Sequence, residues 1–125
     1  QFLLDGWGYS EDWGTWSDQD VAKILLPMPV HGRPKELKFH LRAFVTKSHP
    51  KQELKILINN VLASTYVLNV VEGNEIIVPI PTSERSSQIL NVEFLFSNAV
   101  SPNEAGLGNG DTRKLAVGLK SLEFR

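Results

Sequence analysis

Leu37-Lys38-Phe39-His40-Leu41-Arg42-Ala43-Phe44-Val45 is the stretch that decides the fold class. Apolar residues at 37, 39, 41, 43 and 45 alternate with Lys38, His40, Arg42 and Phe44. That is the two-residue period of a strand with one buried face. Leu54, Ile56 and Ile58 alternate in the same way with Lys55 and Leu57. Asn59-Asn60 then offers a tight turn, because asparagine tolerates positive φ, and Val61 to Leu68 returns as the second arm of a hairpin. Glu75 to Ile80 reads as a short strand ended by Pro79 and Pro81. Ile89 to Phe96 and Leu115 to Phe124 are later strands; Val21 to Leu26 and Phe2 to Leu4 are early ones.

The connections are rich in Gly, Pro, Asn and Ser, and no segment sustains helical periodicity. Short strands between turn signals predict an all-β fold: an antiparallel β-sandwich, jelly-roll-like, of roughly eight strands. The longest connection, from Ser97 to Lys114, exceeds the roughly 12–15 residues beyond which structureless loops become uncommon. It precedes the last strand as the tryptophan-rich start precedes the early ones, and in a sandwich such loops gather at one end.

The chain of 125 residues reads as a single domain, 1–125, cut from a longer protein, since it begins at Gln1 and runs straight into Phe2-Leu3-Leu4. Its 42% hydrophobic and 22% charged residues are those of a globular core with a wet surface. A net charge of -1 gives no reason to expect nucleic acid as a partner, and no apolar run reaches the roughly 20 residues of a membrane span, so no direct membrane insertion is expected. The absence of cysteine removes thiol catalysis, disulfides and thiolate metal sites. Composition does not place the domain on either side of a membrane.

All three tryptophans fall in Gly6-Trp7-Gly8-Tyr9-Ser10-Glu11-Asp12-Trp13-Gly14-Thr15-Trp16. Rings interleaved with glycines and acids suit a shaped loop better than a regular element. If Asp12 to Trp16 is extended, Trp13 and Trp16 point in opposite directions, and Trp16 is the one expected in the core. Trp7, Tyr9 and Trp13 then form a platform on which the C–H faces of a sugar stack, with Glu11, Asp12, Asn98 and Arg113 available for its hydroxyls. The structural alternative is that the indoles plug one end of the sandwich. Asp111-Thr112-Arg113 has two readings as well: a turn cap with an ion pair that ties the long loop down, or a planar fork that binds an anionic or hydroxyl-rich ligand.

Asp5, Glu11, Asp12, Asp18 and Asp20 concentrate acid near the start. No cofactor is expected; a structural calcium is the one ion such oxygens would suit, although EF-hand spacing is absent. His31, His40 and His49 match no metal motif. Lys38, Arg42, Lys47, Lys51 and Lys55 read as a basic face that keeps a sheet wet. No nucleophile elbow, phosphate loop or HExxH is present, and a Glu11–Asp111 pair has no separation to test, so the chain is not expected to be an enzyme.

Gly6 to Ser17, with its Gly-Trp, Glu11 and Trp-Gly-Thr-Trp-Ser, is similar to a family of small bacterial β-sandwich domains. So is the tail from Ser101-Pro102 through Gly106-Leu107-Gly108, Asp111-x-Arg113, Leu115 and Gly118-Leu119. Those domains are carbohydrate-binding-module-like and are appended to glycosyltransferases and phosphoglycerol-transferase-like enzymes of surface-polysaccharide synthesis. The resemblance implies a non-catalytic accessory domain associated with a glycan or polysaccharide and with the parent enzyme; read from the residues themselves, its ligand site is expected at Trp7, Tyr9, Glu11, Asp12, Trp13, Asn98, Asp111 and Arg113. The alternative is a structural domain that docks on its parent enzyme or on a second copy, through an apolar patch including Phe44, Leu57 and Leu95.

Overall fold

The computed structural model describes residues 2–108 and 110–125. Ten strands run in chain order: β1 Phe2–Leu3, β2 Trp7–Glu11, β3 Gly14–Ser17, β4 Val21–Pro27, β5 Glu36–Ala43, β6 Gln52–Ile58, β7 Val61–Leu68, β8 Asn74–Pro79, β9 Ile89–Leu95 and β10 Val117–Phe124. A short 3-10 turn at Thr82–Glu84 lies between β8 and β9. The strands form two five-stranded antiparallel sheets, ordered β1-β4-β9-β6-β7 and β2-β3-β10-β5-β8. β3 to β10 alone give the orders 3-10-5-8 and 4-9-6-7, which is jelly-roll winding. The expected eight-strand roll is therefore present, with β1 and β2 added at one edge of each sheet.

Alternation sets the core. In β5, Leu37, Phe39, Leu41 and Ala43 are buried, while Lys38, His40 and Arg42 lie on the outer face. Across the interior, Phe39 meets Phe94 of β9 edge-on, with ring centroids 5.2 Å apart. Each such fully buried side chain contributes about 1.5–3 kcal/mol relative to exposure. The β6–β7 hairpin turns on Asn59 and Asn60, at φ 49° and 68°, as the Asn-Asn pair predicts. Asn59 also holds its surroundings: its amide donates to Glu84 and its Oδ1 accepts from Asn91 N at 2.7 Å.

The strand directions put the connections β3–β4, β5–β6, β7–β8 and β9–β10 at one end of the sandwich, together with the entry to β2. The turns β2–β3 and β6–β7 and the connections β4–β5 and β8–β9 lie at the other. The long loop is fastened to the first end by the Val100–Leu115 bridge and by Ser48 Oγ, which donates to Ala105 O at 2.5 Å.

The start of the chain differs from its sequence reading. Trp7–Glu11 and Gly14–Ser17 are strands, not a shaped loop. The glycines read as loop-formers serve the hairpin and its entry: Gly6 has φ 94° and Gly14 φ 150°, and a Cβ on either would stand 2.0 Å from a backbone oxygen, of Val21 and Leu119 respectively. Nor is Trp16 in the core. Thr15 and Ser17 are the buried residues of β3, and Trp16 faces outward between them. The register is fixed by Ser17 Oγ, which accepts from Val117 N at 3.0 Å. The neighbouring interior is occupied instead by Trp7, whose ring meets Phe94 edge-on at 5.9 Å. The expected basic face is also divided. Lys38 and Arg42 lie on one sheet, Lys55 lies on the other, and Lys47 and Lys51 lie in the β5–β6 connection.

Candidate functional site

At the long-loop end, Trp7, Gly8, Tyr9, Asp18 and Arg113 line a groove of about 280 Å³. The antiparallel pairing of Trp7 with Ser17 brings the start of β2 beside the β3–β4 connection, which carries Asp18. The long loop returns toward β10 at the same place and delivers Arg113. Two stretches about a hundred residues apart in sequence thus line one groove.

Trp7 is anchored rather than free. Its inner side packs on the core, and its Nε1 donates to Lys23 O at 2.9 Å. Tyr9 is the opposite case: it is 90% exposed and presents its ring to solvent at the rim. Arg113 is held by Asp111, its Nη2 donating to Oδ2 at 2.7 Å and its Nε to Oδ1 at 3.1 Å. The Arg113 hydrogen bonds hold the Asp111 carboxyl below its ordinary value. Arg113 is raised by the hydrogen bonds to Asp111, against the opposing effect of burial, and then by the charges of Asp111, Glu11 and Asp18. Of the charged residues, Asp18 and Arg113 line the groove itself, and Asp111 holds Arg113 from beside it. Asp18 Oδ1 is buried and, among the described residues, accepts no hydrogen bond.

The remaining sequence-predicted residues are placed elsewhere. Asp12 is exposed in the β2–β3 turn. Trp13 is in the same turn, so strand alternation does not set its direction. It folds back over the outer face of the sheet, 5.4 Å from Trp16 and with the Arg42 guanidinium 4.3 Å from its ring centre. Trp16 continues this aromatic run to Phe44 at 6.2 Å. Asn98 is used internally. Its Oδ1 accepts from Gln52 Nε2 at 2.7 Å and Glu53 N at 2.9 Å, and its Nδ2 donates to Lys51 O at 2.8 Å. Asp18 is the groove residue that the sequence pattern does not single out. It stands among five acids near the start, and no spacing separates it from Asp5, Asp12 or Asp20.

Among the described residues, no group of three or more His, Asp or Glu is placed to hold a metal ion. His40 Nδ1 lies 3.4 Å from Glu75, and His49 Nε2 lies 3.2 Å from Gln52. No helix among them is long and apolar enough to cross a membrane.

The fold has known counterparts. A family two carbohydrate esterase from Clostridium thermocellum, solved in complex with cellohexaose, superposes with a TM-score of 0.61 at 5% identity over 99% of this chain and 30% of the esterase chain. An active-site mutant of a family two carbohydrate esterase from the same organism gives 0.57 at 6% identity, with the same coverage. Dimeric latent PorU from Porphyromonas gingivalis gives 0.53 at 12% identity, over 90% of this chain and 10% of PorU. At these identities the likeness is one of fold, and the chain spans less than a third of each counterpart. No curated protein matches the sequence. The sequence itself matches a family model over residues 3–125, and the chain belongs to that family, the domain of unknown function DUF7024.

Proposed function

We propose that this domain is a non-catalytic glycan-binding module that positions a polysaccharide for a parent enzyme of bacterial surface-polysaccharide synthesis, with its site in the Trp7–Tyr9–Asp18–Arg113 groove. The observation that carries the reading is an exposed ring set beside a carboxylate and a guanidinium in one groove. Tyr9 offers a face to sugar C–H groups, and the Asp18 carboxylate that lines the groove an acceptor for a hydroxyl. Trp7 forms the apolar floor, and Arg113, oriented by Asp111, supplies donors. With Asp18 and Arg113 balancing each other in the lining and Asp111 already paired with Arg113, the groove favours a neutral sugar over an acidic one. The cellohexaose complex of a fold counterpart supports a glycan as the class of ligand.

The test is a glycan array and titration followed by tryptophan fluorescence, using wild type and Tyr9→Ala. Tyr9 is so exposed that its removal leaves the fold intact, so binding that weakens at least tenfold in the variant supports the groove. A wild type that binds no glycan overturns the reading.

A second reading, docking onto the parent enzyme or a second copy, is favoured by the outer face of the β1-β4-β9-β6-β7 sheet. There Leu57 and Leu95 lie beside a groove of about 540 Å³ whose lining includes Val21, Thr65 and Val67. Phe44 does not join them; it lies with Trp16 on the other sheet. A concentration-dependent mass in sedimentation, abolished by Leu95→Lys, would favour this second reading.

A further inference from the structure

We infer that the end of the sandwich opposite the Trp7 groove carries a second site, for a phosphoryl group, formed by Arg33, Lys35 and Arg85. Two adjoining grooves open there, of about 530 and 470 Å³. They share Arg33, Pro34, Arg85 and Ser86, and Lys35 and Thr82 complete the larger one. No carboxylate lines either. Two acids adjoin the site in sequence and neither lines the grooves: Glu36 begins β5 after Lys35, and Glu84, before Arg85, accepts a hydrogen bond from Asn59 at 3.0 Å.

Half of the other ten cations are paired within the protein. Lys38, Arg42, Arg113, Lys114 and Lys120 are all in ion pairs. Among the described residues, Arg33, Lys35 and Arg85 are in none. Two features aim them. Arg85 Nε donates to Ile80 O at 3.0 Å, which fixes the guanidinium and leaves its terminal amino groups for a ligand. Arg33 has φ 41°, an uncommon conformation for a side chain with a Cβ, held between Gly32 at φ 91° and the buried Pro34. Arg33 and Arg85, from the β4–β5 and β8–β9 connections, line both grooves.

Three cations and two hydroxyls, Thr82 and Ser86, around one small concavity match a tetrahedral, multiply charged phosphoryl group better than a planar carboxylate. An extended polyanion or a lipid surface fits less well, because the cations converge on a groove instead of spreading over a plane. The net charge of -1 also opposes a broad anionic surface. The phosphoryl group could belong to a sugar phosphate or be free phosphate, and the two share this chemistry.

The test is a heteronuclear NMR titration at low salt with four probes: inorganic phosphate, a hexose 6-phosphate, a hexuronate, and vesicles of anionic phospholipid. The expected result is that both phosphates shift the amides around 33–35 and 82–86, with the hexose phosphate tighter if the sugar also fills the adjoining groove. Raising the salt should weaken binding, because the site is exposed. Arg33→Gln with Lys35→Gln, neither of which removes a side-chain hydrogen bond, should weaken phosphate binding at least tenfold, and Arg85→Lys should weaken it less. Stronger binding of the uronate, binding to vesicles alone, no shift at these amides, or phosphate affinity unchanged in the double variant would each overturn the assignment.

Discussion

Trp13 lies on Gly118. A Cβ at position 118 would stand 2.6 Å from Trp13 Cη2 and 2.7 Å from Cζ3, closer than any side chain allows. The glycine is a seat: it lowers the outer face of β10 so that an indole from the β2–β3 turn can settle between Trp16 and Arg42. Gly118→Ala should therefore force the ring out and cost about 1–3 kcal/mol, the usual cost of overpacking. Thermal unfolding should show a lower Tm, and the double variant Gly118→Ala, Trp13→Ala should lose less than the two single changes added together. Additive losses would mean that the ring and the glycine do not depend on each other.

Asn98 is a test of structure against site. Its side chain joins the β9–β10 connection to the start of β6 through three hydrogen bonds, one of them from the fully buried Gln52. Asn98→Ala leaves the Gln52 amide without that acceptor. The expected cost is about 2–4 kcal/mol, combining lost hydrogen bonds with a buried group left partly unsatisfied. Glycan affinity of the folded fraction should not change, because Asn98 does not line the Trp7 groove. A fall in affinity without a fall in stability would bring Asn98 into the site.

Those two residues show what was legible in the sequence. Strand alternation from Leu37 to Ala43 gave core and surface directly, because a sheet face repeats every two residues and burial follows it. The Asn59-Asn60 turn was legible because few residues accept positive φ. Trp16 was misplaced because one strand residue more or less in the turn reverses every side chain, and only the partner strand, through Ser17 and Val117, sets that register. Trp13 lies outside the alternation altogether. Asp18 was hidden among its acidic neighbours, because what distinguishes it is the arrival of Arg113 from the far end of the chain. Long-range placement of that kind leaves no local pattern.

The Asp111–Arg113 pair gives stability a defined pH dependence. The folded carboxyl titrates below its ordinary value of 3.8, so the unfolded chain takes up the proton first as pH falls. The contribution is complete above that ordinary value and is lost as pH drops through the lower folded value. It is small, because the pair is partly solvated. Carbon-detected NMR of the Asp111 carboxyl should show a midpoint below 3.8 that returns toward 3.8 in Arg113→Gln. A midpoint unmoved by that substitution would show that Arg113 is not what holds the carboxyl down.

Asp18 connects stability with binding. Among the described residues its Oδ1 is buried without a hydrogen bond, and an unsatisfied buried polar atom costs about 1–3 kcal/mol. Asp18→Asn keeps the shape and removes the charge, which lowers the cost of burial, although it also gives up attraction to Arg113. The expected net effect on Tm is a rise or no change. A sugar hydroxyl that needs a charged acceptor would bind at least tenfold more weakly. Residues kept at a cost to stability are found where function requires them, and this combination of results would identify Asp18 as one. A variant that loses stability and keeps its affinity would instead make Asp18 a tether for Arg113, and the groove would lose its sugar acceptor.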